Sequence, residues 1–238
     1  MHSIKFSNWE EFKSDLVKTL LTSSGRLSIQ DFLFRGQADS KWKLYSSFDR
    51  IEKDKSKYDL LLETFTNVCQ TYNFNEDLFS KNDSQLVGAF AQHYGLPTRL
   101  LDWTTSPYFA AFFAFASAVS IKGKVCTVWA INKESEALKR HKGLKFISLS
   151  TNKYNYRMKN QLGHFTLSEH TEDSIDEFDT SLVKATSIDD LLWKVDINYT
   201  NPREVLSDLE IMGITHSFAY PDIEGYIEEA IYKTGLKR

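Results

Sequence analysis

The residues best suited to bind an anion stand at the end of a short apolar run. Arg35 follows three apolar residues and precedes Gly36, which lets a ligand or another segment approach the backbone closely. A guanidinium is permanently charged and presents forked donors, so an arginine at a strand end can hold a pyrophosphate. The structural alternative is an ion pair between Arg35 and an acid such as Asp102. The sequence leaves both interpretations open.

A second polar stretch spans residues 92–106. It contains His93, Arg99 and Asp102, which can converge as a base, an anion clamp and an orienting group. Loops held by rigid flanking helices often carry function. The structural alternative is that His93 caps a helix ending at Gly95, while Arg99 and Asp102 form an i,i+3 pair.

Hydroxyl groups cluster just before the most apolar part of the chain. Thr104, Thr105 and Ser106 directly precede Pro107, and a Ser-Pro pair is typical of the N-cap and first turn of a helix. The free N–H groups of a first turn, with hydroxyls beside them, suit a phosphate or a ribose. Tyr94 joins the same predicted set of ligand-binding residues. Capping alone is the structural alternative.

Gln161 precedes a run with strand composition. Its amide both donates and accepts hydrogen bonds, so it can bind a ribose or the edge of an adenine, or it can satisfy backbone groups. Other chemistries lack their motifs: the chain has no Gly-rich phosphate loop, no dinucleotide fingerprint and no Gly-x-Ser-x-Gly elbow. Its six histidines are scattered, and we predict no metal.

Composition limits the class of protein. The chain has 238 residues, 42% of them hydrophobic, which is enough for a substantial core. A net charge of −3 disfavours a nonspecific nucleic-acid coat. Cys69 and Cys126 lack the spacing of a metal knuckle or a disulfide framework and are predicted to be buried thiols. No signal-peptide pattern is present, and the apolar window 108–119 falls short of the roughly 20 residues of a membrane span, so we predict a cytoplasmic protein without membrane contact.

Hydrophobic spacing and capping signals predict the elements that position these residues. An amphipathic helix is predicted at about 8–22, with Ser7 and Glu10 as its capping box. A strand at 31–34 delivers Arg35. The sequence predicts an α+β fold, with one domain over 1–238 and a mixed or antiparallel sheet with helices, although 169–190 carries no strong signal. Further helices are predicted at 61–72, 86–94, from 106, at 202–213 and at 223–231, and further strands at 125–131, 146–149, 165–167 and 191–197.

Several motifs resemble the FRG domain family, which is named for its Phe-Arg-Gly motif. The resemblance spans about 30–230, taken as the core of the domain, and its central run covers residues 93–104. The motifs that carry it are Phe34-Arg35-Gly36-Gln37, the run from His93 to Thr104, Gln161-x-Gly163-x-Phe165, and Phe218-x-x-Pro221-Asp222-x-x-Gly225.

The order of these motifs is similar to that of arginine-class mono-ADP-ribosyltransferases. That resemblance implies an ADP-ribosyltransferase-like fold and NAD as co-substrate, gripped by Arg35 and by the Thr104, Thr105 and Ser106 cluster. It also implies a catalytic acid on a later strand. There this sequence has Gln161, with Glu169 and Glu228 as substitutes, while His93 or Asp102 can supply the base.

The resemblance therefore implies an NAD-dependent mono-ADP-ribosyltransferase that acts on RNA, DNA or protein. Such an enzyme would serve as a bacterial toxin or anti-phage effector, with an antitoxin or defence-system partner. The alternative is a non-catalytic module that binds a nucleotide or a partner, because the expected glutamate is missing. A nuclease that uses His93 is a third, less supported hypothesis.

Overall fold

A seven-stranded sheet forms the centre of the protein in a computed structural model that describes residues 1–26, 28–74, 79, 83–148 and 163–236. The strands are β1 (His2–Phe6), β2 (Phe32–Gln37), β3 (Leu100–Thr104), β4 (Val125–Asn132), β5 (Leu144–Ile147), β6 (Gly163–Ser168) and β7 (Leu192–Asn198). Their order across the sheet is β1-β7-β4-β2-β3-β6-β5, with β1 parallel to β7 and the other neighbours antiparallel. The predicted α+β class with a mixed sheet is confirmed.

Helices connect most of these strands, and a 3-10 turn (Ile29–Asp31) leads into β2. The predicted N-terminal helix is confirmed, but its cap lies one residue later than expected. Asn8 Oδ1 accepts a hydrogen bond from Glu11 N at 2.9 Å, and Ser7 N donates to Glu11 Oε2 at 2.6 Å. The helices are α1 (Trp9–Ser24), α2 (Lys57–Thr71), α3 (Ser84–His93), α4 (Pro107–Ala118), α5 (Glu136–Arg140), α6 (Ile175–Thr186), α7 (Pro202–Ile211), α8 (His216–Ala219) and α9 (Ile223–Thr234).

Two apolar clusters cover the two faces of the sheet, because side chains alternate along each strand. Phe32 and Phe34 belong to the cluster that includes the buried residues of α1, α4 and α7. Leu33, between them, belongs to the other cluster, which α6 covers with Ile175 and Phe178. The run of apolar residues in β2 ends at Phe34, and Arg35 follows it where the strand reaches the cleft described below.

Five of the described helices and strands were not predicted from the sequence, namely β1, β3, α6 and the short helices α5 and α8. The strand β3 lies inside the stretch 92–106 that was expected to be turn-rich. The segment 169–190, where no signal was seen, contains α6. Its apolar stripe was hidden among acidic residues, although Ser174 caps it and Leu182 is buried on its inner face.

The sheet is split between two central strands. β2 pairs with β4 over six positions, from Phe32↔Asn132 to Gln37↔Thr127, but it pairs with β3 only at Phe34↔Thr104. β3 in turn pairs with β6 over five positions. Beyond Phe34 the two strands therefore leave a gap, and this gap positions the candidate site.

Gly36 allows α4 to lie directly against β2. A Cβ atom at this position would come within 1.8 Å of the Ala110 carbonyl oxygen and 2.9 Å of Ala114 N. The close approach expected at Gly36 is thus made, at least on this side, by the chain's own helix. α4 is otherwise rich in alanine and phenylalanine, and its inner face is buried.

We predict that Gly36→Ala lowers the free energy of unfolding by roughly 2–3 kcal/mol or more, because the added methyl meets rigid backbone. Urea unfolding measures the change. Gly123→Ala is the matched control, since its Cβ would come close only to the end of the Tyr199 side chain, with Oη at 3.1 Å, and would lie at an ordinary contact distance of 3.8 Å from the Ala38 carbonyl oxygen. Equal unfolding midpoints for the two variants would show that α4 can move away from β2 without cost.

Candidate functional site

A cleft of about 340 Å³ opens where β2 and β3 separate. Residues from β2, β3, β6, α3 and α4 line it, together with Tyr220, which directly follows α8. Phe34, Trp103, Phe113 and Phe165 are among its apolar lining residues. Its polar lining consists of Arg35, Gln92, His93, Asp102, Thr104, Ser117, His164 and Tyr220.

Arg35 bridges the gap in the sheet. Its Nη1 donates a hydrogen bond to the Asp102 carbonyl oxygen at 2.8 Å and lies 3.8 Å from Asp102 Oδ2. Its Nε is buried and has no hydrogen-bond partner among the described residues. Burial lowers the pKa of Arg35, and the Asp102 charge opposes that shift. A guanidinium nevertheless stays charged in proteins, so the cleft carries a fixed positive charge.

Asp102 provides a carboxylate on the other side of the gap. Its side chain is 59% exposed, whereas that of Arg35 is 20% exposed, so the pair is not the fully buried one of the structural alternative. Desolvation inside the cleft raises the pKa of Asp102, while the Arg35 charge and a hydrogen bond from Gln92 oppose the rise. Gln92 Nε2 donates to Asp102 Oδ2 at 2.7 Å.

The hydroxyl cluster divides between the cleft and the helix cap. Thr104 lines the cleft, and its Oγ1 accepts a hydrogen bond from Ser106 N at 3.2 Å. Ser106 Oγ accepts from Phe109 N at 3.3 Å, so Ser106 caps α4 as predicted. Thr105 is exposed, and neither it nor Ser106 is among the described residues that line the cleft. Of this cluster, only Thr104 is placed to touch a ligand in the cleft.

Two other predicted ligand-binding residues lie away from the cleft. Arg99 Nε is 3.5 Å from Asp49 Oδ1, with both side chains mostly buried, so the structural alternative of an Arg99–Asp102 pair is wrong, although Arg99 does form an ion pair. Arg99 lies in a bend just before β3 and Asp102 lies within the strand, so the two are not neighbours on a helical turn. Tyr94 is 70% exposed and packs on Phe90, with the ring centroids 5.0 Å apart.

His93 lines the cleft as the last residue of α3. Its ring meets the Tyr94 ring edge to face, with the centroids 4.8 Å apart. The position agrees with its predicted catalytic role. His93 also lies at the C-terminus of α3, as the structural alternative expected. Its position therefore fits both the capping role and the catalytic role.

The candidates for the catalytic acid were Gln161, Glu169 and Glu228, and the structure describes two of the three. Gln161 lies outside the described residues, but β6 begins two positions later, and Gly163 pairs with Thr104 at the cleft. Glu169 follows the opposite end of β6 and forms an ion pair with Lys145 at 2.6 Å. Glu228 lies on α9 and is not among the described cleft-lining residues. Neither glutamate substitutes for Gln161 in the described cleft.

Sequence analysis missed several residues that line the cleft. His164 was passed over although it lies inside the motif Gln161-x-Gly163-x-Phe165. Burial, and then the Lys133 charge, lower its pKa. Gln92 opens the polar stretch 92–106, and Tyr220 stands next to Pro221 in the last motif. The motifs were therefore the available signal, but spacing alone did not show which of their members face a common space.

No group of three or more His, Cys, Asp and Glu side chains is placed to hold a metal ion within the described ranges. No helix in that part of the chain is long and apolar enough to cross a membrane.

Residues 30–122 match the family model described as FRG domain. The chain thus contains an FRG domain over this range, which includes the Phe34-Arg35-Gly36-Gln37 motif and the run from His93 to Thr104. The two later motifs of the predicted core at about 30–230 lie outside the matched range. The match runs from the 3-10 turn before β2 to the residues after α4, and it includes Arg35, Gln92, His93, Asp102 and Thr104. No curated protein and no solved structure matches the chain significantly.

We predict that Arg99→Met lowers the free energy of unfolding by about 3 kcal/mol or more, because Asp49 remains buried without its counter-charge. Thermal or urea unfolding measures the loss. Arg140→Met, on the exposed end of α5, is the control and is expected to change stability by less than ~0.5 kcal/mol. Unchanged stability together with lost nucleotide binding would instead assign Arg99 to a ligand site.

Proposed function

We propose that this protein is an NAD-dependent mono-ADP-ribosyltransferase with an ADP-ribosyltransferase-like fold. The supporting observation is the convergence of the three motif positions on one cleft. Arg35 on β2, Thr104 on β3 and the start of β6 lie on neighbouring strands around it. The motifs that follow one another in the sequence thus also lie on adjacent strands of the sheet, in the same order.

The cleft has the groups that NAD binding needs. The Arg35 guanidinium is a forked donor for a pyrophosphate. Phe113 and Tyr220 pack edge to face, with ring centroids 5.9 Å apart, and offer an aromatic wall for the nicotinamide ring. The volume lies near the lower end of the roughly 300–1,000 Å³ typical of small-molecule sites, which suits the nicotinamide riboside part of the dinucleotide.

The reaction breaks the bond between the ribose anomeric carbon and the nicotinamide nitrogen. The bonding electrons leave with nicotinamide, and a hydroxyl or amine of the acceptor then attacks the anomeric carbon and loses its proton. We assign Asp102 as the group that takes this proton, since it is the carboxylate that lines the described part of the cleft. Arg35 and Thr104 hold NAD so that its anomeric carbon faces the attacking group of the acceptor.

We further propose that the acceptor is a macromolecule, either nucleic acid or protein. The role implied by the motif order is that of a bacterial toxin or anti-phage effector, held in check by an antitoxin or defence-system partner. This part of the proposal rests on the resemblance of the motifs.

A second candidate function is a non-catalytic module that binds a nucleotide or a partner in the same cleft. One observation favours it: within the described residues the cleft contains no glutamate, and its one aspartate already contacts Arg35 and Gln92. A module of this kind would bind NAD or another nucleotide without releasing nicotinamide.

Incubation with labelled NAD and a bacterial lysate tests the enzyme directly. We expect label on a macromolecule, and we expect Arg35→Lys to lower transfer about 100-fold, because lysine keeps the charge but loses the fork. Arg140→Lys makes the same change on an exposed arginine and should transfer at the wild-type rate. NAD binding without nicotinamide release or label would contradict the enzyme and support the binding module.

Induction in a bacterial host tests the effector role. We expect growth arrest with the wild type and restored growth with Asp102→Asn, which keeps the shape of the side chain but cannot accept a proton as a carboxylate does. Asp59→Asn, an exposed position on α2, should remain toxic. Colony counts and growth curves provide the measurement, and equal growth of the wild type and Asp102→Asn would argue against the role.

A further inference from the structure

Gln92 connects α3 to the carboxylate of the cleft. Its Nε2 donates to Asp102 Oδ2 at 2.7 Å, and both residues line the same cavity. Arg35 makes no such bond to the carboxylate. Its Nη1 donates to the Asp102 backbone carbonyl instead, and it lies 3.8 Å from Oδ2. Among the described residues, Gln92 is therefore the side chain that holds the Asp102 carboxylate by a hydrogen bond.

The orientation of the Gln92 amide is fixed from the other side. Thr98 Oγ1 donates a hydrogen bond to Gln92 Oε1, and Thr98 is fully buried. The backbone around Thr98 is held in turn, because its N–H donates to Ser47 Oγ at 2.9 Å and its carbonyl accepts from Phe48 N at 3.0 Å. With its oxygen bound by a hydroxyl, the amide can offer Asp102 only N–H donors.

We infer that Gln92 is a positioning residue, which holds Asp102 ionised and oriented for the proton transfer of the proposed function. An amide N–H donates a stronger hydrogen bond to an ionised carboxylate than to a protonated carboxyl, so it favours the ionised form. Thr98 acts one step further out by preventing the amide from turning its oxygen toward Asp102. The inference rests on the proposed function for its catalytic part, while the coupling of Gln92 to Asp102 stands on the geometry.

Several titratable groups line the cavity around Asp102. Arg35 on β2 stabilises the carboxylate, and desolvation in the cleft opposes it. His93 on α3, His164 on β6 and Tyr220 after α8 also line the cavity. Substitutions at Gln92 and Thr98 leave these titratable groups in place and share one effect, which is the change in the Gln92 bond to Asp102. Thr98→Val also removes the hydroxyl that accepts from Leu100 N at 3.3 Å, whereas Gln92→Leu leaves that bond intact.

A merely structural role would make different predictions. If Gln92 only ties α3 to β3, its loss lowers the stability of the fold and leaves the titration of Asp102 unchanged. If Gln92 positions Asp102, its loss raises the pKa of the carboxyl and shifts the acid side of the pH profile. The two roles are therefore separated by a titration rather than by loss of activity.

The test measures the Asp102 carboxyl titration by carbon-13 NMR without NAD, with Asp102→Asn identifying the signal. We expect Gln92→Leu and Thr98→Val to raise the pKa by about one unit, a tenfold change in the ionisation constant. Thr98→Ser keeps the hydroxyl and should titrate like the wild type. If Gln92→Leu fails to fold, Thr98→Val gives the answer alone, because valine has the shape of threonine.

The second readout is the pH profile of nicotinamide release. We expect the same shift in its acid limb, with kcat lowered about tenfold on the plateau and KM for NAD within about twofold of wild type, because orientation rather than binding is lost. An unchanged titration in folded Gln92→Leu or Thr98→Val overturns the inference. If the titration shifts in these variants but the wild type releases no nicotinamide, the coupling of Gln92 to Asp102 is upheld and the proposed function is overturned instead.

Discussion

The candidate site depends on one departure from regular sheet pairing. β2 and β3 meet at Phe34↔Thr104 and then separate, so the backbone groups on either side of the gap need other partners. The Arg35 guanidinium supplies one of them by donating to the Asp102 carbonyl oxygen. Arg35 thus lines the cleft and also bridges the two strands, and the same guanidinium serves both roles.

The opposite side of β2 imposes a second constraint on the same place. Gly36 lets the backbone of α4 lie against the strand, and the first turn of α4 is capped by Ser106. The Ser106 backbone in turn donates to Thr104 Oγ1 at the edge of the cleft. The position of the helix therefore sets the direction of the Thr104 hydroxyl, and it also brings Phe113 to the cleft wall.

Sequence patterns predicted what depends on neighbours in the chain. The stripe of Trp9, Phe12, Leu16 and Leu20 predicted α1, and the Ser106-Pro107 pair predicted the start of α4. The pairing of Arg99 with Asp49 joins residues 50 positions apart, and no local pattern marks it. The strand β3 was missed for a different reason. Its five residues include the exposed Asp102, which interrupts an apolar run.

The Arg35 and Asp102 pair contributes little to stability in the form it takes. An ion pair with one partner 59% exposed is worth at most about 1 kcal/mol, while the buried Arg35 Nε lacks a partner among the described residues. At a position selected only for stability, apolar side chains would serve better, because the desolvation of an ion pair can exceed its Coulombic gain. Folding rules are most often broken where a site needs charge. The exposed carboxylate, the fixed guanidinium and the Gln92 amide therefore support the proposed binding of a polar ligand in the cleft.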